Sequence, residues 1–143
     1  MFKIHCGGDW FVSTYQVAGA FYLQHDGLFF PCENWNDLPM AMLEGWCEKI
    51  STSFEENEAV DLCFLDGHYT ARLSPCSGEV FRIKLIEDEG LESEKIVDTF
   101  EVEVTAFLHE ILSALDACIA FVTGRGQRAE NLHAAKEIIL HLK

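Results

Sequence analysis

The chain contains few basic residues. Ten lysines and arginines stand against 24 aspartates and glutamates, which gives a formal net charge of −14. A negative field of this size repels the phosphates of nucleic acids and the headgroups of anionic membranes. We therefore predict that neither nucleic acid nor a membrane surface is a partner of the protein, and that a basic protein is the partner its charge favours.

The sequence also lacks a long uninterrupted apolar run and an export signal. Its apolar runs are far shorter than the roughly 20 residues that span a bilayer. Its first ten residues, MFKIHCGGDW, contain no basic region followed by an apolar stretch, so no signal peptide is predicted. Both features predict a cytoplasmic protein. The length of 143 residues predicts one domain over 1–143, because domains usually hold roughly 100–200 residues.

None of the six cysteines is paired with another in the C-x-x-C spacing of metal and redox motifs. Thiols are usually reduced in a chain without an export signal, so we predict free thiols, although an even count also permits disulfides. The histidines are scattered, and the adjacent His5 and Cys6 would point to opposite faces of a strand. We therefore predict no metal site and no cofactor.

Catalytic signatures are missing as well. The sequence has no G-x-S-x-G, and its glycine clusters lack the strand–turn–helix context of a phosphate loop. Cys63 and His68 flank a predicted turn, but a thiol in an apolar strand is a small inert hydrophobe. We predict that the protein is not an enzyme. The alternative is a small enzyme or ligand-binding domain with a pocket between sheet and helices.

The strongest structural signal is the segment VTAFLHEILSALDACIAFV over 104–122, whose apolar residues recur every three or four positions. That spacing predicts one face of a helix. Thr105 is its predicted N-cap, and Gly124 is predicted to end it in a left-handed conformation. Additional apolar residues beside this face predict a helix buried on most sides. The face and the residues that widen it are Leu108, Ile111, Leu112, Leu115, Cys118, Ile119 and Val122, with Ala106, Phe107 and Ala114.

Strand patterns dominate the chain before this helix. Asp-Gly pairs at 26–27 and 66–67 stand between apolar runs, which predicts two hairpin turns. Alternating apolar and polar residues predict half-buried strands around 81–85 and 100–104, with a charged loop over 87–94 between them. Trp10–Val17 is a further predicted strand, which Gly19 is expected to interrupt.

Two more helices are predicted. One covers 37–51, with Pro39 in its first turn and Asn34 or Asn36 as its cap. The other covers 128–142. The complete pattern predicts an α+β fold, in which a mainly antiparallel sheet of five to seven strands packs against helices and two helices close the chain.

The acidic residues are concentrated in two blocks. Residues 33–66 contain nine acids and one base, residues 87–103 contain eight acids and one base, and residues 104–143 contain four of each. Packing must direct such blocks towards water or towards a partner. The acids predicted to contact a partner are Glu33, Asp37, Glu44, Glu48, Glu87, Asp88 and Glu89.

Eight aromatic residues lie between residues 10 and 35. They predict either a core built from large side chains or a recognition surface that includes Trp35. Aromatic anchors surrounded by acids suit the binding of a basic protein, so Trp35 joins the predicted partner-binding residues. The eight are Trp10, Phe11, Tyr15, Phe21, Tyr22, Phe29, Phe30 and Trp35.

This layout resembles the small acidic immunity proteins of bacterial toxin–immunity systems. The resemblance rests on the aromatic hairpin around Asp26–Gly27, the sequence ENWND over 33–37 before a helix, the strands around Asp66–Gly67 and the two closing helices. It implies a cytoplasmic inhibitor that binds a toxin and performs no chemistry. A structural or self-associating module, including a homodimer, is a further alternative.

Overall fold

The architecture is taken from a computed structural model, which describes residues 1–12, 16–90 and 93–142. In these ranges the chain forms nine strands and three helices. The strands are β1 (Phe2–Cys6), β2 (Phe11–Val12), β3 (Val17–His25), β4 (Leu28–Phe30), β5 (Asn36–Asp37), β6 (Val60–Cys63), β7 (Tyr69–Pro75), β8 (Val80–Gly90) and β9 (Ser93–Glu103). The helices are α1 (Pro39–Glu56), α2 (Val104–Gly124) and α3 (Glu130–Leu140). The predicted α+β class is confirmed, and the strands form two antiparallel sheets, of five and four strands.

β3 is the central strand of the five-stranded sheet and pairs with β1, β2, β4 and β5. The predicted hairpin at Asp26–Gly27 joins β3 to β4 and is confirmed. The predicted interruption at Gly19 is wrong, because Gly19 lies inside β3. A Cβ there would come within 2.7 Å of the Trp10 ring, so glycine lets the ring lie on the strand. Part of the predicted strand Trp10–Val17 lies outside the described residues.

The second sheet has the order β6-β7-β8-β9, and each strand pairs with its neighbour in sequence. The hairpin at Asp66–Gly67 joins β6 to β7 as predicted. The predicted charged loop over 87–94 is wrong in the residues described, because β8 continues to Gly90 and β9 begins at Ser93. Charged side chains do not prevent pairing, since one face of an antiparallel sheet can lie in water.

α1 is longer than predicted. It continues to Glu56 and ends at Asn57, whose φ of 57° and ψ of 44° are left-handed. Neither Asn34 nor Asn36 caps it. Leu38 occupies the N-cap position without a side-chain cap bond, and Asn36 belongs to β5. The short strand pairing of Asn36 with Ala20 holds the segment before the helix in an extended form.

α2 packs against β1, β9, α1 and α3. Thr105 does not cap it, because the helix begins at Val104 with Glu103 in the N-cap position. Gly124 is still helical, and the left-handed glycine is Gly126, with a φ of 75°. The exposure of Ala106 gives the helix a solvent side, so it is not buried on most sides. The buried residues of α2 are Val104, Phe107, Leu108, Ile111, Ala114, Leu115, Cys118 and Val122.

By length and composition alone, α2 is apolar enough to cross a membrane, with a mean hydropathy of 1.6 over its best window. Core helices of soluble proteins pass the same test. Scattered polar residues such as His109 and Asp116 break the apolar runs of α2 without making the helix polar overall, so the length of the runs does not reveal this property.

The core lies where both sheets meet the three helices. Apolar side chains at alternate strand positions and on one side of each helix fill it, as their spacing predicts. The last helix is shorter than the predicted 128–142, but its apolar spacing reports burial, because Leu132, Ala135 and Ile139 are buried, as is Leu142 just beyond the helix. The largest fully buried side chains of the core are Phe21, Phe30, Phe81, Phe107, Met42, Leu43, Ile50, Leu62, Leu73, Ile83, Leu85 and Leu108.

Candidate protein-binding surface

Three segments distant in sequence meet at one end of the molecule: residues 31–37, the β6–β7 turn at 64–68, and the end of β8. Asp37 joins the first two segments. Its Oδ2 accepts hydrogen bonds from Trp35 Nε1 at 3.0 Å and from the amide of Asp66 at 3.2 Å. Its Oδ1 accepts a third from the amide of Leu38 at 2.8 Å. One carboxylate therefore fixes both segments to the start of α1.

Asp37 was predicted to contact a partner, and the structure does not support that role. Its relative exposure is only 3%, and its oxygens are engaged by the three donors described above. A buried polar group needs such partners, because it has lost its bonds to water. Asp37 is a positioning residue of this surface, and its burial leaves little of it available to another protein.

Trp35 has a mixed position. Its ring is half-buried and packs edge-to-face on Tyr69, with the ring centres 5.2 Å apart. Its carbonyl accepts a hydrogen bond from the amide of Phe21 at 2.8 Å. These contacts attach the 31–37 segment to both sheets. Trp35 therefore belongs to the surface, but much of its side chain is already used within the fold.

Tyr69 connects this aromatic contact to the acidic end of β8. It is the register partner of Glu87, and the amide of Asp88 donates to the carbonyl of His68 at 2.9 Å. The predicted acids Glu87 and Asp88 thus lie beside the contact between Trp35 and Tyr69, and Glu89 follows towards the tip of the β8–β9 hairpin. We call this surface the acidic end. It consists of Glu33, Trp35, Leu65, Asp66, Glu87, Asp88 and Glu89.

The acids of the acidic end keep their negative charge available. Glu33, Asp66, Asp88 and Glu89 are exposed, and Glu87 is half-buried. The structure shows no ion pair from any of the five to another described residue, and none between Glu87 and its register partner Lys95. The result is a surface with a net negative charge, in which the exposed Lys95 opposite Glu87 is a neighbouring base, and a net negative surface suits a basic partner.

Arg72 shows the opposite arrangement on another part of the second sheet. Its guanidinium donates to Asp61 at 2.8 Å and to Glu94 at 3.2 Å. These hydrogen bonds raise the pKa of Arg72 above its usual value. Asp61 and Glu94 thereby share one positive charge within the fold, which leaves the three residues with a net charge of about −1. Some acids of the two acidic blocks are therefore held in ion pairs within the fold, whereas, among the described residues, the acids of the acidic end are not.

Leu65 is an exposed apolar residue that was not among the predicted partner-binding residues. Its relative exposure is 53%, and it borders a shallow groove of about 270 Å³ that also contains Leu38 and Asp66. Leu65 closes the apolar run before the predicted turn at 66–67, but β6 ends at Cys63. The alternation of buried Leu62 and Phe64 was the available signal, because it places the next apolar residue on the solvent side.

Glu44 and Glu48 lie away from the acidic end, on α1. Glu44 is half-buried beside a groove of about 540 Å³ that also contains Met40 and Arg128, and burial raises the pKa of its carboxyl. Glu48 is exposed in a second groove, of about 670 Å³, between α1 and β6. The structure therefore divides the predicted partner-binding acids among three places.

The aromatic residues at 10–35 are divided between core and surface. Phe21 and Phe30 are buried, whereas Tyr22 and Phe29 are half-buried and pack with the ring of His5. Phe11 is 66% exposed. Trp10 stacks on Phe121 with ring centres 4.3 Å apart, and Tyr15 lies outside the described residues. Neither a purely buried cluster nor one recognition face describes the set.

The described residues contain no group of three or more His, Cys, Asp or Glu side chains that could hold a metal ion. All six cysteines are free of disulfide bonds. Cys63 is exposed, contrary to the buried strand position expected for it, and its Sγ accepts a long contact of 3.8 Å from Thr70 Oγ1. No nucleophile–base pair thus involves Cys63 in the described structure.

Comparisons with family models, with curated proteins and with solved structures found no match to this chain.

Proposed function

We propose that the protein is a non-catalytic binding protein that neutralises a basic protein partner in the cytoplasm, most readily a bacterial toxin. The observation that supports this proposal best is the acidic end, which carries five carboxylates without ion pairs to other described residues and the exposed Leu65. The layout that resembles immunity proteins gives the class of partner. The contact itself would be made by Glu33, Leu65, Asp66, Glu87, Asp88 and Glu89, with the exposed part of Trp35.

The two kinds of residue at the acidic end have different roles in this proposal. Exposed carboxylates attract a basic partner over distances up to the screening length, which is about 8–10 Å at physiological ionic strength. They act chiefly on the association rate. An apolar side chain that becomes buried at the centre of an interface acts chiefly on dissociation. Leu65 is the apolar residue proposed for this role, because it is exposed beside Asp66 and borders a groove with Leu38.

The alternative of a small enzyme or ligand-binding domain has one specific feature to consider, the groove of about 540 Å³ beside Glu44 and Arg128. A carboxyl with a raised pKa in a groove is a recognised marker of functional sites. Glu44→Gln therefore serves as the test of this alternative. If a Glu44→Gln variant neutralises the basic partner as well as the wild-type protein does, the carboxylate in this groove is not needed for partner binding.

Growth rescue tests the proposal. The product of the reading frame immediately upstream of the gene is expressed alone and together with this protein. A triple reversal, Glu87→Lys, Asp88→Lys and Glu89→Lys, is compared with a matched reversal of three exposed acids near the end of α1, Glu55→Lys, Glu56→Lys and Glu58→Lys. Both variants change the net charge equally, so their difference reports position.

We expect the upstream product to arrest growth and the wild-type protein to restore it. The control reversal should rescue growth, and the reversal at the acidic end should fail while remaining folded by circular dichroism. A harmless upstream product, or equal rescue by both reversals, would contradict the proposal.

A further inference from the structure

Cys6 and Cys118 place two thiols in direct contact inside the fold. Cys6 is the last residue of β1, and Cys118 lies on the buried side of α2. Their Sγ atoms are 3.5 Å apart, which is non-bonded contact, whereas a disulfide bond is about 2.05 Å long. The two residues are separated by 112 positions in sequence, so only the fold brings them together.

The two thiols differ in access to solvent. Cys118 is fully buried, whereas Cys6 is half-buried. Cys6 is therefore the thiol that a small oxidant in solution can reach, and Cys118 is placed to react with Cys6 without meeting the oxidant. The hydrogen bond between the thiols and burial raise the pKa of Cys6 above its usual value, so the reaction should be slow near neutral pH and faster at alkaline pH, where more thiolate is present.

We propose that Cys6 and Cys118 form a reversible disulfide when the protein meets a low-molecular-weight disulfide oxidant, such as oxidised glutathione. The Cys6 thiolate attacks one sulfur of the oxidant, and a mixed disulfide forms as one glutathione thiolate leaves. The Cys118 thiolate then attacks the Cys6 sulfur and releases the second glutathione. The protein loses two electrons and two protons, and the oxidant is reduced to two thiols.

The bond would join β1 covalently to α2. These elements are already attached by the amide of Ile4, which donates to Glu110 on α2 at 2.8 Å. A disulfide between residues so far apart restricts the unfolded chain strongly and so stabilises the folded state. The expected consequence is a rise in Tm that reductant reverses.

The test removes the three exposed thiols first. The variant Cys32→Ser, Cys63→Ser, Cys76→Ser retains Cys6, Cys47 and Cys118. It is prepared with reductant, incubated with oxidised glutathione near pH 8.5 to supply thiolate, alkylated and digested with trypsin without reductant. The absence of Lys and Arg between Lys3 and Lys49 leaves Cys6 in peptide 4–49, and Cys118 falls in peptide 96–125.

We expect peptides 4–49 and 96–125 to be linked, and the link to disappear when Cys6→Ser is added. Because Cys47 shares peptide 4–49, Cys47→Ala is the matched control and should retain the link. The oxidised protein should also have a higher Tm than the reduced protein. A missing link, a link that survives Cys6→Ser, or an unchanged Tm on oxidation would overturn the proposal.

Discussion

Replacement of Asp37 tests how the acidic end is positioned. Asp37→Ala removes the acceptor of three hydrogen bonds, from Trp35 Nε1 and from the amides of Leu38 and Asp66. A hydrogen bond to a charged group contributes about 1.5–3 kcal/mol, and an unpaired buried donor costs about 1–3 kcal/mol. The donors are only partly buried, so water can replace some bonds, and the desolvation cost of the carboxylate is recovered.

We therefore expect Asp37→Ala to lower the free energy of unfolding by about 3 kcal/mol, near one per lost bond. Asp37→Asn retains one acceptor and should lose about half as much. Glu33→Ala is the control, because an exposed residue in the same segment should change stability by less than about 0.5 kcal/mol. Urea unfolding followed by circular dichroism measures all three. A loss below about 1 kcal/mol for Asp37→Ala would refute the positioning role.

Perturbations in the core and at the cysteines should have effects that follow burial. Leu115→Ala should lower the free energy of unfolding by roughly 2–5 kcal/mol in urea, and the half-buried Leu112→Ala by less; a loss below about 1 kcal/mol at Leu115 would show that α2 is peripheral. Gly19→Ala should cost roughly 1–3 kcal/mol because its Cβ meets Trp10, and an unchanged urea midpoint would contradict the clash. Protein that has not been exposed to an added oxidant should titrate six thiols after denaturation without reductant, and fewer would indicate a disulfide or a metal. In the native protein the three exposed thiols should react fastest, whereas Cys47, whose pKa burial raises to about 12, should stay unmodified near neutral pH.

Local periodicity predicts much of this fold because it reports burial directly. Phe81, Ile83 and Leu85 alternate along β8, and all three are buried. The three- and four-residue spacing of α2 similarly places Leu108 and Leu115 in the core. These signals lie within one element, so no knowledge of its neighbours is needed to interpret them.

The wrong predictions concern properties that depend on residues distant in sequence. Asp37 and Glu33 are both acids in one short segment, but only Asp37 is buried and hydrogen-bonded within the fold. One of its donors is the amide of Asp66, which is 29 residues away in sequence. The charged residues at the end of β8 favour a loop by their composition, but their pairing with β9 holds them in a strand. The grouping of Glu87 with Trp35, and the separation of Glu44 from both, follow from how the sheets and α1 pack.

Association rates at two salt concentrations test the central claim most directly. The wild-type protein, the Glu87, Asp88 and Glu89 reversal and the matched Glu55, Glu56 and Glu58 reversal are mixed by stopped flow with the toxin identified by growth arrest. The reversal at the acidic end should slow association about tenfold or more at low salt, and the control much less. The difference should shrink as added salt shortens the screening length from about 10 Å at 0.1 M to about 3 Å at 1 M. Equal rates for the two reversals, or a wild-type rate that does not respond to salt, would contradict recognition through the acidic end.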